Sequence, residues 1–451
     1  MPAPSAAPNL MATIVSLCKR RGFIFQASEI YGGMGNTYDY GPLGVELKRR
    51  VKDAWWRATV TARADVVGLD SAILQHPKTW ETSGHVAGFT DPLVDCKTCK
   101  ARFRADKLDE AQCPQKPSRT PLENKCELTA PRAFNLMFKT HVGAAEDSAA
   151  IAYLRPETAQ GIFLNFKNVL EASRLKPPFG IAQIGKSFRN EITPGNFVFR
   201  MREFEQAEME FFVPPAQNDE WYAYWRARRL QWYLDLGIRR DKLRVREHDQ
   251  DELAHYSTAT CDVEYEYPFG WGELEGIACR TDFDLKRHSE ASGVRLEYFD
   301  PDTKEHYTPF VIEPAGGIDR MALTFLIDAY AEETVENEPR VVLRLHPTIA
   351  PITVAVFPLV KKDGMPEKAH ELEEELREAG FSTFYDEKAA IGRRYRRQDE
   401  VGTPWCVTID GDTLKEGTVT VRARDSMKQD KLATRELVAY VTQASRGWKP
   451  G

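Results

Sequence analysis

The chain has 451 residues, enough for two or three domains, each with its own core. Apolar residues at 42% and charged residues at 28% give an ordinary globular composition, and no apolar run approaches the roughly 20 residues of a membrane helix. A formal charge of -6 does not advertise nucleic-acid binding, although it allows a local basic patch.

The opening MPAPSAAPNL is small and Pro-rich and lacks the basic and apolar regions of a signal peptide, so residues 1–12 are expected to form a flexible tail. Over residues 42–60 the spacing predicts a helix with Val45, Leu47, Val51, Trp55 and Trp56 near one face, followed by a strand in VVGLDSAIL. From Asp91 to Ala150 the composition turns polar and Cys96, Cys99, Cys113 and Cys126 cluster, which reads as an insertion at 91–150. Cys18, Cys261, Cys279 and Cys406 are scattered. This distribution is not that of a secreted disulfide framework and favours a reducing, cytoplasmic setting.

Short extended stretches with turn punctuation then follow one another with few crossover helices. They predict an α+β domain with a mainly antiparallel sheet, built from residues 13–90 and 151–345. GIDRMALTFLIDAYAEE reads as an apolar helix. Pro347 and Pro351 mark a boundary, after which strands and helices alternate, so 346–451 is expected to be a small α/β domain with a largely parallel sheet.

The stretch MREFEQAEMEFF is unusual because, read as a strand, it carries acids on both faces. Phe204, Gln206, Glu208 and Glu210 share one face, and Glu203, Glu205, Ala207 and Met209 the other. One reading is a strand with solvated charges; the other is a site for cations, ammonium groups or metal-chelated phosphates. Arg189 and Glu191 project from one face of the preceding FRNE, and arginine forks suit phosphate oxygens. A hairpin with Arg, Glu, Arg and an aromatic suits a nucleoside triphosphate: the base stacks on Phe204, the arginines take the phosphates, and acids hold magnesium.

That hairpin resembles motif 2 of the class II aminoacyl-tRNA synthetases. The helix and strand ending near Pro77 resemble motif 1, and EPAGGIDRMALTFL resembles motif 3. A closer resemblance is to the homodimeric glycyl-tRNA synthetase family. It is carried by GFIFQASEIYGG, DYGPLGVELK, PRAFNLMFKT, LRPETAQGIFLNFKNV, IAQIGKSFRNEITPGNFVFRMREFEQAEMEFF, GELEGIACRTDFDL and IGRRYRRQDEVGTP.

The resemblance implies a class II sheet flanked by helices, a C-terminal anticodon-binding domain, a homodimer joined through motif 1, and glycine, ATP and tRNA(Gly) as substrates. It implies that glycine and ATP condense to glycyl-adenylate, whose glycyl group passes to the tRNA 3' end. By similarity Arg189 holds the α-phosphate and Glu191 the adenine or tRNA-end region. Arg200 reaches the γ-phosphate, Phe204 stacks under adenine, and Arg320 lies over its other face. Glu273 and Glu313 are the implied Mg2+ carboxylates. The glycine positions implied are Glu157, Glu208, Glu313 and Ala315, with Arg280 on the carboxylate side. Ala315 departs from the serine usual in the family.

The family's zinc-binding members carry two Cys-x-x-Cys pairs. Here Cys96 and Cys99 keep that spacing, whereas Cys113 and Cys126 are far apart. Four thiolates can close a tetrahedral Zn2+ site, and the alternative is a knuckle of reduced cysteines. Two readings also stand for Arg393, Arg394, Tyr395, Arg396 and Arg397: a tRNA anticodon contact, or a structural helix. Two rivals are a class IIa synthetase for another amino acid and a non-catalytic paralogue that binds nucleic acid. RPETAQGIF weighs against the threonine and proline enzymes, and Arg189, Phe204 and Arg320 together weigh against the paralogue.

Overall fold

The computed structural model describes residues 9–109, 111–116, 118–143, 150–192, 195–254 and 257–449. Asn9 caps the first helix, α1 (Leu10–Arg21), its side chain accepting from the Met11 N–H at 3.0 Å. Residues 10–12, expected in a tail, are therefore helical; residues 1–8 lie outside the described residues. Helix α2 (Pro42–Trp56) starts on a proline, where the missing N–H leaves no intrahelical bond unmade. It buries Leu47, Lys48, Val51 and Trp55. Val45 is 45% exposed because two residues of helix turn it almost opposite Leu47. Gly44 allows the helix to press against the chain before it, since a Cβ there would stand 1.8 Å from the Phe23 carbonyl oxygen.

A seven-stranded sheet organises the first domain. In chain order its neighbourhood runs β1 (Val66–Gly68), α3 (Pro77–Thr82), α4 (His85–Gly88), α5 (Ala159–Ser173), β2 (Phe179–Phe188), β3 (Glu203–Val213) and α6 (Asn218–Asp235). It continues through β4 (Leu243–Glu247), β5 (Ala259–Tyr267), β6 (Gly270–Thr281), α7 (Phe283–Ser292), β7 (Phe310–Gly317) and α8 (Ile318–Ala329). The strand order is β4-β5-β6-β7-β3-β2-β1, antiparallel except for the β1–β2 edge. Strand β1 is shorter than VVGLDSAIL predicts. Past Gly68 the chain is drawn away, the Ser71 hydroxyl donating to Gln183 Oε1 (2.9 Å) and Arg155 donating to the Ser71 carbonyl (2.8 Å).

Alternation along β3 divides the core. Phe211 and Met209 join the large cluster with α2, α6 and α8, while Phe212 joins Phe163, Phe166 and Phe179 beneath α5. The acids on the Phe211 face, Glu203 and Glu205, are paired with lysines: Glu205 with Lys48 (2.8 Å) and Lys52 (3.0 Å), and Glu203 with Lys186 (2.7 Å). Buried Asp319, at the start of α8, joins three elements: it accepts from Tyr40 Oη (2.6 Å), Lys48 Nζ (2.5 Å) and the Glu205 N–H (2.7 Å).

The 91–150 segment contributes a three-stranded antiparallel sheet in which Thr90–Asp95 lies between Arg102–Arg104 and Arg132–Asn135. The second domain contains β8 (Val354–Pro358), α9 (Met365–Glu378), β9 (Thr383–Tyr385), α10 (Ile391–Val401), β10 (Trp405–Ile409), β11 (Thr418–Ala423) and β12 (Gln429–Ala433). Its order is β9-β8-β10-β11-β12. Strand β8 is parallel to β9 and β10, but β11 and β12 are antiparallel. The largely parallel sheet expected is thus mixed, because the links after β10 are too short for a crossover of a dozen or more residues.

Replacing Lys48 with Met strands Asp319 in the core, and a loss of about 3 kcal/mol is expected in chemical denaturation. Lys48→Met/Asp319→Leu is expected to cost less than the two single changes together; simple additivity would contradict this account of the buried pair.

Candidate active site

Strand register assembles the floor of a cleft of about 520 Å³. One row crosses five strands: Gln183, Glu208, Ala315, Gly276 and Asp262. In the next row Glu313 lies opposite Ala278. The pairing of Glu208 with Ala315 and of Phe211 with Ile312 sets Glu210 opposite Glu313. The cleft is lined by every residue that the sequence assigns to ATP or glycine: Glu157, Arg189, Glu191, Arg200, Phe204, Glu208, Glu273, Arg280, Glu313, Ala315 and Arg320.

Carboxylates occupy one end. Glu208 Oε2 accepts the Thr158 N–H at 2.8 Å and the Thr158 hydroxyl, so the start of α5 points its donors at this acid. Its other oxygen accepts from Gln206 Nε2 at 2.9 Å. Glu157 is held between His85 Nε2 (3.3 Å) and Gln160 Nε2 (3.0 Å). Arg280 donates to both oxygens of Glu313 (3.0 Å each) and to both of Asp284 (2.8 and 3.1 Å). Its guanidinium thus spans two acids while lining the cleft.

Burial raises all of these acids, and their neighbours decide where each one ends. Burial pushes Glu313 up to about 8, with Arg280 pulling against it and Glu208 and Glu157 adding to it. Burial and then Glu157 raise Glu208. Glu210 is raised well above the ordinary range by burial and by Glu313 opposite it; it is fully buried and neither of its oxygens has a hydrogen-bond partner among the described residues. In Glu157 the burial effect is outweighed by His85 and Arg280, and its carboxyl lies well below the ordinary range. A mixed set of protonated and ionised acids suits a compact –NH3+ with three donors.

Arginines and aromatics occupy the other end. The Arg189 guanidinium lies 5.4 Å from the Phe89 ring and 5.3 Å from Phe204, and its Nε donates to the Pro156 carbonyl at 3.0 Å. Arg200 pairs with Glu191 at 3.4 Å. Arg320 pairs with Glu273 at 3.2 Å and stands over Phe199 at 4.3 Å rather than over Phe204. Phe199 was not singled out from the sequence. It lines the cleft with its ring edge-on to Tyr267 (5.0 Å) and Phe269 (5.1 Å), and the only cue was its place in NFVFR.

The magnesium pair expected from the sequence does not come together. Glu313 faces Ala278, five residues along β6 from Glu273, which is about 16 Å of strand. Glu273 instead converges with Asp262: a Cβ on Gly276 would be 3.6 Å from Asp262 Oδ1 and 4.0 Å from Glu273 Oε1. Two carboxylates close together, with Arg320 paired to one of them, are a donor set that fits Mg2+.

Comparison with known proteins identifies the second domain and then the whole chain. A family model described as an anticodon binding domain matches residues 353–444. The glycine–tRNA ligase of Treponema denticola is 53% identical over 452 residues, covering 97% of this chain and 98% of the relative. That of Alkaliphilus oremlandii is 54% identical over 461 residues (97% and 99%), and that of Thermobifida fusca is 52% identical over 462 residues (98% and 100%). The chain belongs to the glycine–tRNA ligase family.

In this ligase fold the basic helix of the anticodon-binding domain is largely structural. Arg394 is buried and donates to the carbonyls of Pro358 (2.6 Å), Asp386 (3.1 Å) and Leu359 (3.2 Å). The Tyr395 hydroxyl bonds Thr408 (2.6 Å), Arg396 lies 3.7 Å from Asp399, and Arg397 pairs with Asp386 (2.6 Å). Arg393 is exposed. Glu400, at the far end of the helix, pairs with Arg20 and Arg21 of α1.

The Cys segment gathers its thiols, with Cys113 and Cys126 sulfurs 3.7 Å apart. The zinc expectation is nevertheless not supported: among the described residues no group of three or more His, Cys, Asp or Glu side chains is arranged to hold a metal ion. All eight cysteines are free. Among the described residues no helix is long and apolar enough to cross a membrane.

The raised carboxyl of Glu210 has a consequence for stability. Between the ordinary Glu range and its raised folded value, the folded chain holds a proton that the unfolded chain has released, so stability falls as pH rises through that window. Glu210→Gln removes this linkage. The variant is expected to melt several degrees above wild type at pH 8 and close to it at pH 5; an equal effect at both pH values would contradict a protonated Glu210.

Proposed function

We propose that the chain activates glycine with ATP and esterifies it to tRNA(Gly), as a glycine–tRNA ligase of class II. The observation that carries the reading is the polarity of the cleft: carboxylates at one end, arginines and aromatic rings at the other, on one rigid sheet. Glu157, Glu208 and Glu313 receive the glycine ammonium. Arg189 holds the α-phosphate, Arg200 and Arg320 the outer phosphates, and Phe204 and Phe199 offer faces for adenine. A glycine carboxylate oxygen attacks the α-phosphorus, the bond to the β-phosphate oxygen breaks, and pyrophosphate leaves. The tRNA terminal ribose hydroxyl then attacks the glycyl carbonyl, and AMP departs. No protein nucleophile takes part; positioning and fixed charge lower the barrier.

Glu273 with Asp262 would hold Mg2+, which when bound supplies charge neutralisation at the phosphates. Ala315, between Glu208 and Gly276, offers a methyl where family members offer a hydroxymethyl group, and so leaves the pocket slightly roomier and one donor poorer. A homodimer forming in the α2 region is part of the proposal. Ile30 and Tyr31, each 87% exposed, would be covered by a second copy, giving twice the chain mass in solution. The setting proposed is cytoplasmic, in keeping with eight free thiols.

Pyrophosphate exchange with each of the twenty amino acids tests the reading. Exchange is expected with glycine, and Glu208→Gln is expected to lower kcat/KM for glycine about 100-fold. Exchange driven by a different amino acid, or none at all, would refute it.

A further inference from the structure

We propose that His85 is a positioning residue for the amino-acid site, holding the Glu157 carboxylate in place against the substrate ammonium; the inference rests on the function proposed above. His85 belongs to none of the three motifs and sits on α4, a short helix leading to the 91–150 segment. Its Nε2 is 3.3 Å from Glu157 Oε2, and its Nδ1 is 2.7 Å from the Ser83 hydroxyl. Trp80 and Phe89 meet the imidazole edge-on, with ring centres 5.6 and 5.5 Å away. Asn135 fixes the backbone beneath, donating to the carbonyls of His85 (3.3 Å) and Val86 (2.9 Å). Every polar atom of the imidazole is thus engaged, and the ring is clamped on two sides.

Glu157 needs such a partner because its neighbours oppose it. Glu208 on β3 and Glu313 on β7 repel its charge, and Asp284 on α7 reaches it through Gln160. Among the groups that favour the ionised form, His85 acts more strongly than Arg280 on β6. The arrangement leaves one oxygen of Glu157 on His85 and the other on Gln160, so the carboxylate plane is set before substrate arrives. Phe89, which packs on His85, also faces the Arg189 guanidinium at 5.4 Å. The ammonium and phosphate ends are therefore tied through one short helix.

Glycine-dependent pyrophosphate exchange of the full-length wild type, His85→Ala, His85→Gln and Ser83→Ala at pH 7.5 and 5.5 tests the role. His85→Ala is expected to raise the glycine KM about tenfold at pH 7.5 with the ATP KM within about twofold of wild type. Without His85 the Glu157 carboxyl moves upward, so the ratio of variant to wild-type glycine KM should widen as pH falls to 5.5. His85→Gln, whose amide can still donate but carries no charge, is expected to recover most of the loss at pH 7.5 and to keep part of the widening at pH 5.5. Ser83→Ala, which only frees the ring, should raise the glycine KM about threefold and decides the matter should His85→Ala not fold.

An unchanged glycine KM in His85→Ala or Ser83→Ala would overturn the inference, as would equal rises in glycine and ATP KM. A wild-type chain that shows no glycine-dependent exchange would overturn the proposed function instead.

Discussion

The site is governed by the cost of placing carboxylates in a desolvated sheet. Glu208, Glu210, Glu313 and Asp284 are buried, and Glu157 is close to buried, with Arg280 as the guanidinium among them. One cation cannot ionise all of these acids in a low-dielectric floor, and the structure divides them accordingly. Glu157, served by His85, stays ionised; Glu313, Glu208 and Glu210 are driven toward protonation. A ligand bearing positive charge relieves that imbalance.

Register makes the arrangement possible. An antiparallel pair sets residues directly opposite each other, so two acids, Glu210 and Glu313, meet face to face, a pairing that sheets ordinarily avoid when both are charged. The same rows space Glu273 and Glu313 far apart, so that the acids around Arg280 and the group around Arg320 stand at different ends of the cleft. Helix α5 supplies donors to Glu208, and the Asp319 junction with Lys48 and Tyr40 holds β3 against α2 and α8. Rigid elements therefore carry both ends, as a reaction that works by positioning requires.

Much of this was legible in sequence because it depends on strand alternation. The period of two placed Phe204, Gln206, Glu208 and Glu210 on one face, and set Glu203 and Glu205 apart for ion pairs with lysines. The antiparallel α+β sheet followed from strands without crossovers. Long-range partners were not legible. The pairing of Arg280 with Glu313 and Asp284, the approach of Asp262 to Glu273, and the contact of His85 with Glu157 join residues scattered along the chain, and local spacing carries no trace of them. The basic run at Arg393–Arg397 allowed two readings from local charge alone, and the structure adds that Arg394 and Tyr395 are turned inward, Arg394 to cap carbonyls and Tyr395 to bond Thr408, while Arg393 stays exposed.

Burial at the carboxylate end predicts that an ammonium bound there displaces a proton from it. Calorimetric titration of the full-length protein with glycine and a non-hydrolysable ATP analogue at pH 7, repeated in buffers of different ionisation enthalpy, measures that exchange directly. The account predicts release of about one proton per glycine bound, because Glu313, pushed up to about 8, must ionise to meet the ammonium. Glycine binding with no proton released would contradict it, since the carboxylates would then already be charged in the empty site.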